Sequence, residues 1–151
     1  MTEITIERLK TYDETDAVAL GELMTYLSEK CDGAPIPEDL MRMIIESEHH
    51  DQIVARCKAR IVGAATVNLV MNVGRGNYAM LDAFVVDPSM RGKGVADMVW
   101  QELMRWCEEH AAQRLEFTSN QSRAAAHKFY FAHGATVRET TVFAVAPSSQ
   151  Q

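Results

Sequence analysis

From its first residues the chain alternates. "ITIER" (Ile4 to Arg8) places an apolar side chain at every second position, the period of a half-buried β-strand. "KTYDETD", rich in helix-capping residues, introduces "AVALGELMTYLSEK", where Val18, Leu20, Leu23, Met24 and Leu27 recur at helical spacing. Gly and Pro in "CDGAP" close that helix. A second is predicted after Pro37, with Leu40, Met41, Ile44 and Ile45 as its apolar face. "DQIVARC" and "RIVGAATVNLVM" read as two strands, and the "KA" between them is short enough for a hairpin. The loop "NVGRGN" (Asn72 to Asn77) leads into the strand "YAMLDAFVVD". A glycine turn, a helix from about Gly94 to His110, the strand "RLEFTS", the helix "QSRAAAHKFYFAH" and a last strand "TVRETTVFAV" follow.

The predicted order is β-α-α-β-β-β-α-β-α-β. A hairpin-rich first half followed by βαβ crossovers implies an α/β fold of the α+β kind, a central mixed sheet flanked by helices. No repeat or long linker divides it, so residues 1–146 are expected to form a single domain, with 147–151 a disordered tail.

Composition narrows the class without naming a chemistry. A chain of 151 residues, 47% hydrophobic and 24% charged, matches an ordinary globular domain with its own core. No run approaches the roughly 20 apolar residues of a membrane helix. "MTEITIERLK" lacks the basic-then-apolar pattern of a secretory signal, so the cytoplasm is the expected location. A net charge of −6 argues against a nucleic-acid partner, whose binding depends on Lys and Arg neutralising phosphates. It is compatible with a cationic small molecule. Cys31, Cys57 and Cys107 are odd in number and far apart, which gives neither a metal clip nor a disulfide framework. His127 and His133 flank Tyr130 without a third ligand at metal spacing, and no metal is expected. His49 and His50 read as solvated. Val99, Trp100, Leu103, Trp106 and Cys107 read as the buried side of the third helix, and the nine methionines as core filling in preference to the lining of an adaptable acceptor pocket.

The chemistry concentrates in "LDAFVVDPSMRGKGVADMVWQELM" (Leu81 to Met104). "RGKGVA" follows a strand and opens a helix, so the first backbone N–H groups have no partner within the helix. Gly92 and Gly94 let a ligand approach the main chain closely, and Arg91, Lys93 and the helix dipole favour an anion. A phosphate or pyrophosphate site follows; a plain strand-to-helix turn would use the same glycines. The stretch does not supply a Walker A loop, and only two glycines fit a dinucleotide fingerprint.

"VVDPSMRGKGVA" resembles the acyl-CoA-binding signature of the GNAT N-acetyltransferases, R/Q-x-x-G-x-G/A, with Arg91, Gly94 and Ala96 at its three defined positions. "SNQSRAAAHKFYFAHGA" resembles the family's second block through Asn120, Ala126, Phe129, Tyr130 and Gly134. The two blocks cover residues 81–135, and the overall resemblance is to bacterial small-molecule amine acetyltransferases. Two positions depart from the pattern. Ala135 replaces the aromatic that usually follows the second-block glycine, and Ala83 stands where some relatives carry a second carboxylate.

The resemblance implies acetyl-CoA as co-substrate. Its pyrophosphate would sit on the backbone of Arg91, Gly92, Lys93, Gly94, Val95 and Ala96. Its pantetheine arm would pair with Phe84, Val85 and Val86 like an added strand, with Asn120, Ala126 and Phe129 contributing from the second block. A main-chain N–H of the same strand could steady the thioester oxyanion. The acceptor would be a small primary amine. An alkylamine of pKa ~10.4 is neutral in only about one molecule in 2,500 at pH 7, so a base must take its proton. Asp82 is the candidate base, since an unpaired buried carboxylate in an apolar strand is costly unless it serves a ligand. A structural Asp bonded to backbone or to an Arg is the competing role, and Glu116 is a weaker candidate base. Tyr130 is the candidate acid for the departing thiolate; core packing beside Phe129 and Phe131 is the alternative. A protein lysine or N-terminus as acceptor, a non-turning acyl-CoA-binding regulator, and a homodimer stay open.

Overall fold

The computed structural model describes residues 3–148. Its elements run β1 (Ile4–Arg8), α1 (Glu14–Met24), α2 (Glu38–Glu46), β2 (His50–Cys57), β3 (Arg60–Val70), β4 (Tyr78–Val86), a short 3-10 turn (Pro88–Met90), α3 (Val95–Glu109), β5 (Leu115–Glu116) and α4 (Ala124–Ala132). The backbone groups into two compact units, one up to Phe117 and one from Thr118 on.

The first unit is built on a mixed sheet in the order β1-β2-β3-β4-β5, antiparallel except for the parallel β4–β5 pair. Side chains alternate between its faces. Val54, Ala64 and Val85 lie on one face and pack with Leu20 and Leu23 of α1 and with Met41 and Ile45 of α2. Ala55 and Gly63 lie on the other, where a Cβ on Gly63 would stand 2.9 Å from the Val95 side chain of α3. Trp106 of α3 is fully buried and donates its indole N–H to the buried Asp51 Oδ2 of β2 at 2.8 Å. Asp51 also takes Lys10 Nζ at 3.1 Å, and Arg56 grips the buried Asp16 with two bonds of 3.0 Å. These carboxylates are therefore spent on holding helices to the sheet. Cys107 is buried in the same layer, and burial pushes its thiol up to about 11, which makes it inert near neutral pH.

Three boundaries differ from the sequence pattern. The first helix stops at Met24 instead of running to Lys30. Thr25 donates its hydroxyl to Glu22 O at 2.7 Å, and the next amides tighten to i→i−3 bonds. The chain then folds back over Gly21, with Ile36 N–H bonding Ala17 O at 3.1 Å. A Cβ at Gly21 would stand 2.1 Å from Ala34 O, so only glycine admits this return. The strand "RLEFTS" contracts to Leu115–Glu116, two register pairs long, and Phe117 turns its ring edge-on to Trp100 at 6.0 Å. The last strand is not formed: among the described residues, 136–147 take no regular structure and join no ladder. Alternation supplies a strand's faces but not a partner for its backbone, and Val137, Val142, Phe143 and Val145 stand exposed there.

In the second unit Asn120 Oδ1 accepts from Ser122 N–H at 2.9 Å and from the Ser122 hydroxyl at 2.8 Å, an Asx turn that starts α4. Residues 149–151 of the expected tail lie outside the described range. No described helix is long and apolar enough to cross a membrane.

Candidate active site

Strand β4 carries a bulge. Thr66 pairs with Asp82 and Ala64 with Val85, so Ala83 and Phe84 together oppose Ala65 alone. Ala83 absorbs the extra residue with φ +51°, a left-handed conformation that costs a non-glycine residue about 1–2 kcal/mol. The core explains why it is tolerated. Leu81 pairs with Val67 on the α3 face, and Phe84 is tilted against Trp100 of α3 at 6.3 Å. A regular strand would put residues 81 and 84 on opposite faces; the bulge lets α3 cover both. Asp82 and Val85 consequently share the other face, that of α1 and α2.

Asp82 is exposed, not buried as the strand pattern suggested; Tyr78 and Met80, which precede it on the same face of β4, are only half-buried. Among the described residues its carboxylate has neither an ion-pair partner nor a side-chain hydrogen bond, although its backbone pairs with Thr66 in the ladder. Enough protein crowds it on the strand side that burial raises its carboxyl above the ordinary carboxylate range. Glu116 is differently placed. It pairs with Arg114, and Arg75 Nη2 lies 3.4 Å from its Oε2, so two guanidinium groups hold it as an anion partner. That occupation weighs against Glu116 as a base.

Beyond Met80↔Glu116 the β4–β5 ladder ends, and β4 continues through Val85 and Val86 while β5 stops. On its β3 side Val86 pairs with Gly63 and the next amide, Asp87 N–H, reaches Val62 O at 2.8 Å. Asp87 then caps the 3-10 turn by accepting from Ser89 N–H at 2.9 Å and takes Arg60 Nη1 at 2.9 Å; against the opposing effect of burial, the Ser89 hydrogen bonds first and Arg60 second depress its carboxyl.

The turn "RGKGVA" follows. Arg91, Gly92, Lys93 and Gly94 are exposed, Val95 is buried and Ala96 half-buried. Gly92 and Gly94 take φ of +76° and +79°, and Gly94 is the N-cap of α3. A Cβ at either would meet nothing within 4 Å. The glycines are therefore needed for conformation, and they leave open space over the main chain. The first bond of α3 runs from Met98 N–H to Gly94 O at 3.1 Å, so the amides of Gly94, Val95 and Ala96 stand ahead of the helical ladder. These amides, the positive end of a 15-residue helix and the exposed Arg91 and Lys93 all belong to this one turn, a combination that favours an anion.

The second block lies on α4 and the turn before it. Tyr130 is buried, with its ring edge-on to Phe129 at 6.1 Å. Burial raises its phenol above the usual value, and Arg123 partly opposes that. Ala126 and Phe129 are half-buried on the same helix, and Asn120 is committed to the turn that starts it. His127 is hydrogen-bonded to Ser119 and His133 stacks on Phe129 at 3.9 Å. Among the described residues no three His, Cys, Asp or Glu side chains group as metal ligands.

A sequence model of the acetyltransferase (GNAT) family matches residues 22–135, about three-quarters of the chain. The chain belongs to the GNAT acetyltransferase family. No curated protein matches the sequence significantly. Solved GNAT-fold structures match it at low identity. An aminoglycoside acetyltransferase from an uncultured soil metagenomic sample, in complex with trehalose, is 17% identical over 95% of each chain, with a TM-score of 0.81. An aminoglycoside N-acetyltransferase in complex with CoA is 18% identical over 97% of this chain and 96% of that one, TM-score 0.78. A Trypanosoma brucei acetyltransferase is 20% identical over 95% of this chain and all of the other, TM-score 0.76. These likenesses establish the GNAT fold.

Two polar residues on the Asp82 face escaped the sequence reading. Thr66, opposite Asp82, donates its hydroxyl to Gln52 Oε1 at 2.7 Å, and the Gln52 amide is buried. A Gln inside the otherwise apolar run "QIVA" was the one available signal.

Proposed function

We propose that the chain transfers the acetyl group of acetyl-CoA to a primary amine of a small molecule, directly and without a covalent enzyme intermediate. The α3 turn carries this reading: open space above Gly92 and Gly94, with three amides and two cations around it, suits a pyrophosphate. Arg91 to Ala96 would hold that group, with the pantetheine arm along Phe84, Val85 and Val86. The family match spans residues 22–135 and so includes part of each unit, which supports reading residues 1–146 as one functional domain.

The amine nitrogen attacks the thioester carbon and the carbonyl electrons move onto oxygen. The tetrahedral species then collapses, the C–S bond breaks and the thiolate leaves. Asp82 takes one proton from nitrogen, and Tyr130 donates one to sulfur, so an amide and a free CoA thiol result. A phenol donating to a thiolate is uphill by roughly 2 kcal/mol in reference terms, so positioning has to offset it. Aminoglycosides head the candidate acceptors, since two of the structural relatives are aminoglycoside acetyltransferases and the chain's −6 charge suits a polycation.

CoA thiol release with acetyl-CoA and a panel of aminoglycosides, polyamines, simple alkylamines and lysine peptides tests this. Release with at least one small amine is expected. Turnover on peptides alone would move the acceptor to proteins, and acetyl-CoA binding without release on any acceptor would make the chain a sensor. Tyr130→Phe should lower kcat by about tenfold or more. An acid works only while protonated, and burial raises this phenol, so the wild-type alkaline limb should lie above the ordinary tyrosine range. The variant should lack that limb. Equal kcat at every pH would remove Tyr130 from the mechanism.

A further inference from the structure

Three polar side chains stand in a row across the sheet. Gln52 of β2 pairs with Thr66 of β3, and Thr66 pairs with Asp82 of β4, all on the α1 and α2 face. Residues paired in this way have Cβ atoms about 4.5–5.5 Å apart. Burial grades along the row: Gln52 is buried, Thr66 half-buried and Asp82 exposed, so the strip leads from the core out to the candidate base.

The buried end is fixed. Gln52 Nε2 donates to two main-chain carbonyls, Ile53 O at 3.2 Å and Ala65 O at 3.2 Å. Carbonyl oxygens only accept, so they dictate which end of the amide faces them. The opposite end, Oε1, faces Thr66 and can only accept as well. Thr66 must therefore spend its single hydroxyl proton on Gln52. Only lone pairs remain to face the neighbouring Asp82 column.

We propose that Thr66 binds the acceptor amine beside Asp82, and that Gln52 is the positioning residue that makes Thr66 a pure hydrogen-bond acceptor. The inference rests on the amine acetylation proposed above. Its chemistry follows from what the attacking nitrogen needs. The nitrogen must present its lone pair to the thioester carbon. A freely rotating hydroxyl could donate to that lone pair and tie it up. A hydroxyl whose proton is already held takes an N–H instead, and with Asp82 on a second N–H it turns the lone pair away from the sheet. An apolar residue at position 52 would fill the core as Val54 does two residues on, but would leave the Thr66 proton free.

Thr66→Val keeps shape and removes the acceptor. It should lower kcat/KM for the amine by about tenfold or more while the acetyl-CoA dissociation constant, read by calorimetry, stays within about twofold. Thr66→Ser should restore most of the activity. Gln52→Leu should lower kcat comparably, and the Gln52→Leu, Thr66→Val double variant should lose little beyond Thr66→Val alone, because freeing the Thr66 proton has no effect once the hydroxyl is gone. Wild-type amine kinetics in Thr66→Val, or an equal loss in acetyl-CoA binding, overturns the proposal for Thr66. Losses that multiply in the double variant overturn it for Gln52. Should Gln52→Leu fail to fold, the Thr66 pair decides alone. If the wild-type protein acetylates no amine of the panel, the amine-acetylation reading fails first, and Thr66 is then judged by binding. Spermidine added to the CoA-loaded protein should shift the Thr66 methyl resonance in wild type, and the absence of a shift refutes the contact.

Discussion

Replacing Asp82 with asparagine should reduce kcat/KM for the acceptor near neutral pH by about 10²–10⁴-fold, the range over which a positioned base contributes. Asparagine keeps the shape of the side chain but removes its charge and its ability to take a proton. The pH profile separates a catalytic role from a structural one. A base works when deprotonated, and crowding raises this carboxyl, so wild-type activity should fall as pH drops through a value above the ordinary carboxylate range. The variant loses that limb. Its rate should climb with the free-amine fraction toward the acceptor's own pKa, about 10.4 for an alkylamine, so its profile moves to higher pH. Steady-state kinetics from pH 5 to 10, alongside thermal unfolding, would check this. An unchanged profile would remove Asp82 as the base, and since the side chain carries no ion pair, a large loss of stability is not expected.

The second large effect concerns the donor. Gly94→Ala should raise the acetyl-CoA dissociation constant at least about tenfold, while costing about 1–2 kcal/mol of stability. The two effects have separate origins. The stability cost is conformational, because the residue holds φ +79° and an added Cβ meets nothing within 4 Å of the protein. The affinity cost arises in that same open space, where the methyl would stand against the pyrophosphate. Calorimetric titration and thermal unfolding read them independently. A variant that is less stable yet binds acetyl-CoA normally would reduce the turn to a structural device.

Much of this architecture was legible in the pattern of side chains. Alternation in "ITIER" and in the hairpin strands, helical spacing in "DMVWQELMRWC" and the glycines of "RGKGVA" each produced the element they implied. The failures have several causes, and one of them lies where the chain departs from a strict period. The β2–β3 hairpin starts with Cys57 opposite Arg60, and a regular ladder from there would place Gln52 opposite Ala65. A register shift between Ala55 and Arg56 advances β3 by one residue, and Thr66 arrives instead. The Gln52–Thr66–Asp82 row is therefore invisible to counting. The expectation that Asp82 is buried fails because alternation does not say how far along a face the helices reach, and Tyr78 and Met80 on that face are only half-buried as well. The last strand failed differently: "TVRETTVFAV" has the period of a strand, but period does not supply a neighbouring edge.

The extra residue in β4 also has a consequence for how such a chain can change over time. Excise Ala83 and the count becomes regular: Phe84 opposes Ala65, Asp82 still opposes Thr66, and Val85 still opposes Ala64. Every core side chain keeps its face, and one residue in a costly backbone conformation disappears. The kink would be lost while the packing around it was kept. By the register alone, losing this one codon would leave the pairing on both sides intact, so the packing of the sheet does not itself require the bulge.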